Sequence, residues 1–178
     1  YAFNNCAKLT ALDLNHESLW SIGNGALSGC SSIKTAVIPK NIKTVNESMF
    51  AGCSSLESIT FGENVTVISA GAFSGCSSLK TITLPDKVTT IADNLFKDCT
   101  SLTTINCSTD VSKLGLSAFE NCTSLVEFNV PSRVAEVGNN TFAGCTSLKS
   151  ITLPNGLIFL ADKMFQGCTS LKDVTLPT

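Results

Sequence analysis

Charge is scarce in this chain. Only 15% of its 178 residues are Asp, Glu, Lys or Arg, and the net charge is −2 at pH 7. That balance excludes the basic surface on which nucleic-acid binding depends, so no nucleic-acid partner is expected. It also gives no reason to expect attraction to an anionic membrane. Histidine occurs once, at position 16. An activated Ser or Cys nucleophile needs a base beside it, and His16 lies in an irregular first repeat where solvation is expected. Only one Trp and one Tyr are present. No apolar run approaches the ~20 residues of a membrane span, so direct membrane insertion is not expected. No secretory leader is visible.

Cysteine, by contrast, is plentiful, and its spacing organises the sequence. Cys6 and Cys30 are 24 residues apart, and Cys30, Cys53, Cys76, Cys99, Cys122, Cys145 and Cys168 then follow at intervals of 23. A large apolar residue stands three before each: Phe3, Leu27, Phe50, Phe73, Phe96, Phe119, Phe142 and Phe165. Another stands three after: Leu9, Ile33, Leu56, Leu79, Leu102, Leu125, Leu148 and Leu171. Such self-similarity marks a stacked-repeat architecture.

Each unit divides into three parts. Leu79, Ile82 and Leu84 follow an L-x-x-L-x-L spacing whose second half alternates inward and outward, as a strand does. Val88 and Ile91 form a second short extended pair after Pro85. Ala72, Phe73, Cys76 and Leu79 fall on one face at helix-like spacing, which predicts a short helical or 3-10 turn. Gly75, with Gly29, Gly52, Gly144 and Gly167, is placed to end that turn with a positive φ. Asp98 and Asn121 occupy the same slot, and both residue types tolerate that backbone.

One unit cannot bury its apolar side alone, so stability must come from interfaces between neighbours. The expected fold is an α/β repeat over residues 1–178: a right-handed leucine-rich-repeat solenoid of about eight 23-residue turns, with a parallel strand face, short second strands and short helical or 3-10 turns. It begins and stops within a repeat, so a fragment of a longer array without capping repeats is expected, with the parent array as partner at both ends.

The pattern F-x-G-C-[ST]-S-L-x-x-I-x-L-P-x-x-V-x-x-I resembles the BspA-like, or Treponema-type, class of leucine-rich repeats over essentially the whole chain. The resemblance implies a cell-surface or secreted protein of the kind made by oral and gut bacteria and trichomonad parasites. It also implies adhesion to a host matrix, cell-surface or microbial protein, and it carries no catalytic motif. The departures are one extra residue between Leu14 and Leu27, Leu27 in place of Phe, and Phe61-Gly62 and Cys107-Ser108 in place of Leu-Pro.

Metal sites need ligands that converge on a point, whereas this spacing lays eight thiols in a line. A buried structural thiol ladder is the expected reading, with some disulfides or a metal as alternatives. Cys107 aligns with Leu84 and is expected in the core. The serines follow the repeat, as turn-bonding residues do. No cofactor and no enzymatic activity are expected.

The outward positions of the main strands are the candidate binding face: Lys80, Thr81 and Thr83; Thr103, Thr104 and Asn106; Val126, Glu127 and Asn129; Lys149, Ser150 and Thr152; Lys172 and Asp173. The face is polar and monotonous, without the Trp, Tyr or Arg anchors of tight interfaces. A solvated, non-binding face is the plain alternative, which would make the chain a stalk or spacer. An ice-binding Thr array is also conceivable, but Glu127, Asp173 and the lysines interrupt it. Trp20, Val67, Ile158 and Phe159 are the outward apolar residues of the second segment. Five N-x-[ST] sequons, at Asn46, Asn64, Asn106, Asn121 and Asn139, are little above chance for so short a motif.

Overall fold

The structure, a computed structural model, describes residues 1–16 and 18–178. Its strands, all short, run in two series. The main face carries β1 (Thr35–Val37), β3 (Ser58–Thr60), β5 (Thr81–Thr83), β7 (Thr104–Asn106), β10 (Ser150–Thr152) and β11 (Asp173–Thr175). The second face carries β2 (Thr44–Val45), β4 (Val67–Ile68), β6 (Thr90–Ile91), β8 (Lys113–Leu114) and β9 (Glu136–Val137). Every pairing is parallel and shifts the register by one repeat, as in Thr81↔Thr104 and Thr90↔Lys113. The result is a parallel-strand β-solenoid.

It has about six turns, where about eight were expected. Six rungs carry a full three-residue strand on the main face. The first sequence unit, around Phe3, Cys6 and Leu9, forms turns without a strand, and the rung at 126–129 keeps only a bridge between Glu127 and Ser150.

The expected helical or 3-10 turn is not there: among the described residues there is no helix. Two left-handed residues per repeat prevent it. The first column, which the sequence analysis missed, is Gly25, Ser48, Gly71, Asn94, Ser117, Asn140 and Lys163, with φ between 52° and 61°. The second is Gly29, Gly52, Gly75, Asp98, Asn121, Gly144 and Gly167, the slot for which positive φ was expected, with φ between 61° and 76°. A right-handed helix cannot pass through two such residues four apart. The segment is instead a run of tight turns in which alternate amides face the neighbouring rung. Ser74 N donates to Gly71 O (3.0 Å) and Cys76 N to Phe73 O (3.1 Å), while Phe73 N donates to Leu95 O (3.2 Å) and Gly75 N to Lys97 O (2.7 Å). The apolar spacing of Ala72, Phe73, Cys76 and Leu79 therefore served inward projection from turns, not a helical stripe.

Inside lies one continuous core. Phe50, Phe73, Phe96, Phe119 and Phe142 are fully buried. Their rings stack at 5.3 to 6.0 Å between centroids, within 15° of parallel, and Phe165 extends the column. Burying each such side chain contributes roughly 1.5–3 kcal/mol.

The thiols form the expected ladder. All nine cysteines are free, and Cys30 through Cys145 of the repeat series are buried. They do more than fill space, because each Sγ donates to the carbonyl of the preceding rung. Cys76 Sγ reaches Phe50 O at 3.2 Å, Cys99 reaches Phe73 O at 3.1 Å and Cys122 reaches Phe96 O at 3.2 Å. A Phe carbonyl such as that of Phe73 thus accepts from Cys76 N in its own rung and Cys99 Sγ in the next.

Candidate binding face

The main face is built by alternation. In β5 the side chain of Ile82 points inward and is buried, so Thr81 and Thr83 must point out. The same rule places Thr104 and Asn106 around Ile105, and Ser150 and Thr152 around Ile151. All fourteen candidate residues, from Lys80 to Asp173, are solvent-exposed. Parallel pairing stacks them into columns, with Thr81 beside Thr104, Thr83 beside Asn106, and Ser150 beside Asp173.

Polar contacts along the columns fix some of these side chains. Asn106 Nδ2 donates to Thr83 Oγ1 at 3.1 Å, and Thr103 Oγ1 donates to Lys80 O at 3.0 Å. Lys34 and Glu57 pair loosely at 3.9 Å on the first rungs.

The ladder is not continuous. β1 pairs with β3, β5 with β7, and β10 with β11, but β3 does not pair with β5, and β7 has no partner at 126–129. Each open step involves a Phe in the strand column. Phe61 turns its ring edge-on to Phe73 (6.1 Å, 79°), and Phe128 is tilted between Phe119 (5.0 Å) and Phe142 (5.9 Å). The ring is bulkier than the Leu or Ile of the other rungs, and at these two steps it lies edge-on or tilted against the parallel Phe column instead of joining it.

The Phe128 rung opens a cleft toward the next one. It holds about 430 Å³, with Phe128, Ile151, Leu153 and Pro154 among its apolar lining and Glu127, Asn129, Ser150, Thr152 and Asn155 among its polar lining. The five rungs named from the sequence as candidates thus differ in kind. Those at 80–83 and 103–106 pair with each other, and a cleft of about 400 Å³ opens beside Thr83 and Phe61 at the unpaired step before them, whereas 126–129 with 149–152 borders the cleft beside Phe128. The signal for that concavity was present as Phe128, where the other rungs carry Ile, Val or Ala. Lys172 and Asp173 lie one rung further on, outside the cleft lining.

The outward apolar residues of the second segment are exposed as expected: Trp20 is 71% exposed, Ile158 89% and Phe159 55%. Ion pairs line this face and the turn edge: Lys113–Glu136 (3.0 Å), Arg133–Asp110 (2.9 Å) and Lys97–Glu120 (3.1 Å). Burial opposes the charge of Glu120, but hydrogen bonds from Ser117 and Lys97, with the Lys97 charge, hold its carboxyl below the usual value. The hydrogen bond and charge of Glu136 raise Lys113.

The chemistry available to the side chains is limited. Burial pushes the ladder thiols up, Cys53, Cys99 and Cys145 to about 12 and Cys76 and Cys122 well above their ordinary value, so they are neutral thiols, poor nucleophiles and poor metal ligands. Cys107 is half-buried rather than fully in the core. His16 is exposed, and its Nδ1 accepts from Ser18 N at 3.3 Å. Among the described residues, no group of three or more His, Cys, Asp or Glu converges as a metal site would. No helix there is long and apolar enough to cross a membrane.

Comparison with known proteins gives the repeat an identity. The BspA type leucine rich repeat region matches residues 1–103 and 68–178, in six copies. Among solved structures, a leucine-rich repeat protein from Bacteroides ovatus is 28% identical with a TM-score of 0.60, over 85% of this chain and 51% of its own. The leucine rich repeat protein of T. pallidum is also 28% identical, with a TM-score of 0.56 over 86% of this chain and 61% of its own. A leucine rich cell surface protein from Faecalibacterium prausnitzii, 20% identical with a TM-score of 0.51, shares the fold over 98% of this chain and 68% of its own. The chain thus spans about half the length of the Bacteroides ovatus protein. No curated protein shows significant sequence similarity to it.

Proposed function

We propose a function from one premise: this chain belongs to the BspA-type leucine-rich repeat family. Repeats of this family and fold are generally non-catalytic, and we read this one as a protein-binding module. It is displayed at the cell surface or secreted, in an adhesin-type protein. Its ligand is an extracellular protein of a host matrix, a host cell or another microbe.

The observation that carries this reading is the main face. Lys80, Thr81, Thr83, Thr103, Thr104, Asn106, Val126, Glu127, Asn129, Lys149, Ser150, Thr152, Lys172 and Asp173 all stand free of the core on successive rungs. A partner can therefore contact several rungs at once. The cleft between the Phe128 and Ile151 rungs supplies a concavity on that face. Affinity per module is low, because the face offers no large aromatic or Arg anchor, and it is raised by many copies acting together.

That same absence of anchors favours a second reading, a stalk that binds nothing and projects another domain. The two separate on one experiment. The purified chain, as monomer and as a clustered multimer, is offered to immobilised matrix proteins, host-cell proteins and glycans. Saturable binding strengthened by clustering supports the module; silence from both forms supports the stalk.

A further inference from the structure

Asparagine followed by glycine is chemically labile, because no β-carbon on the second residue keeps its backbone nitrogen from the asparagine side-chain carbonyl carbon. The chain has two such pairs, Asn24–Gly25 and Asn155–Gly156, and the fold treats them oppositely. At the first pair, Gly25 N donates to Glu47 O at 2.8 Å, and its φ is +57°. The ring of Tyr1 packs over Gly25, and the Tyr1 amino group donates to Asn24 O at 2.7 Å. The nitrogen that would attack is committed to the next rung.

At the second pair the nitrogen is free. Asn155 and Gly156 are the exposed central residues of a turn closed by Leu157 N donating to Pro154 O at 3.1 Å. Among the described residues, Gly156 N makes no backbone hydrogen bond. The one hydrogen bond of the Asn155 side chain among the described residues is accepted from Thr178 N through Oδ1 at 3.3 Å. The corresponding turns of other rungs read Pro85-Asp86-Lys87 and Pro131-Ser132-Arg133, so this rung alone combines asparagine with glycine.

We infer that Asn155 is a site of spontaneous, fold-selected deamidation, and that Asn24 is protected by the rung hydrogen bond of Gly25. Gly156 N attacks Asn155 Cγ; the new C–N bond closes a five-membered succinimide. The Cγ–Nδ2 bond breaks, and ammonia leaves with the proton that the Gly156 amide gives up. Water then adds to one of the two ring carbonyls and reopens the ring as aspartate or isoaspartate. Nothing is oxidised or reduced. Asn155 lines the same cleft as Glu127, so the product places a second carboxylate there. Isoaspartate also lengthens the main chain of the turn by one atom. With age the cleft therefore shifts in favour of cationic groups.

The test compares the native chain with the chain in denaturant during incubation at mildly alkaline pH. Peptide mapping reads the mass change from amide to acid, and enzymatic methylation of isoaspartyl groups reads the linkage. In the native chain, conversion appears at Asn155 while Asn24 stays an amide; in denaturant both convert. Gly156→Ala suppresses conversion at 155 in the native chain. It is tolerated, since Gly156 is outside the left-handed region and an added Cβ would come no closer than 3.4 Å to Val134 O. A native chain in which Asn155 stays intact, or in which Asn24 converts as readily as Asn155, overturns the inference. The readout is independent of any ligand, so it stands apart from the binding function proposed above.

Discussion

At the scale of the residue, the repeat assigns a backbone conformation to each position, and some side chains conform at a cost. Lys163 sits at φ 55° in a column otherwise filled by Gly, Ser and Asn. A left-handed non-glycine residue costs roughly 1–2 kcal/mol, part of which is returned through the greater unfolded-state entropy of glycine. Lys163→Gly is therefore expected to stabilise the chain by about 0.5–1 kcal/mol in urea unfolding. The thiols give a second expectation. Burial raises Cys53, Cys99 and Cys145 to about 12, which means that the fold favours the protonated form. Their contribution is fully present below the ordinary value of 9.0 and is lost as pH rises toward 12, so unfolding should become easier across that alkaline window. A thiol reagent at pH 8 should modify exposed Cys6 in the native chain, and the buried ladder only after unfolding. Labelling of Cys76 or Cys99 in the native chain would contradict this. The second left-handed column was legible as a Gly, Asp or Asn recurring directly before each Cys. The first was not, because Ser48, Ser117 and Lys163 carry no sign of positive φ in their residue type.

At the scale of the element, the strands were legible because alternation has only one solution around Ile82, Ile105 or Ile151. The turns were misread because inward projection from consecutive turns imitates helical spacing. The gaps in the ladder were not foreseen. Between the Leu56–Ile68 and Leu79–Ile91 rungs both faces are open, since neither β3 with β5 nor β4 with β6 pairs. That step is held by Phe50 on Phe73, Cys76 Sγ on Phe50 O, and turn amides such as Phe50 N to Ala72 O at 2.8 Å. Thr103 N and Ser112 N donate across the next step, to Lys80 O at 2.9 Å and Thr89 O at 3.0 Å. Their counterparts Lys80 and Thr89 should accordingly exchange amide hydrogen faster than Thr103 and Ser112. Phe61→Leu, which removes the edge-on ring, should slow exchange at Lys80. Equal protection on both rungs would show that this step is closed in solution.

At the scale of the whole molecule, the solenoid, its core column and its family were all written in the 23-residue period of Cys and Phe. The number of turns was overestimated because the sequence period continues at Phe3 and at Phe119 to Phe128, where strand pairing lapses. The candidate face was legible as positions but not as shape. Its exposure followed from alternation, whereas the cleft beside Phe128 depends on how one tilted ring separates neighbouring rungs. The central claim, recognition through this face, is tested most directly by comparing two sets of variants for binding to a captured extracellular ligand in clustered form. One set carries Glu127→Lys with Asp173→Lys on the main face, and the other carries Trp20→Ala with Phe159→Ala on the second segment. All four residues are exposed, so neither set should disturb the core. The account predicts that the first set abolishes binding and the second leaves it intact. Loss with the second set alone, or with neither, would contradict recognition through the main face.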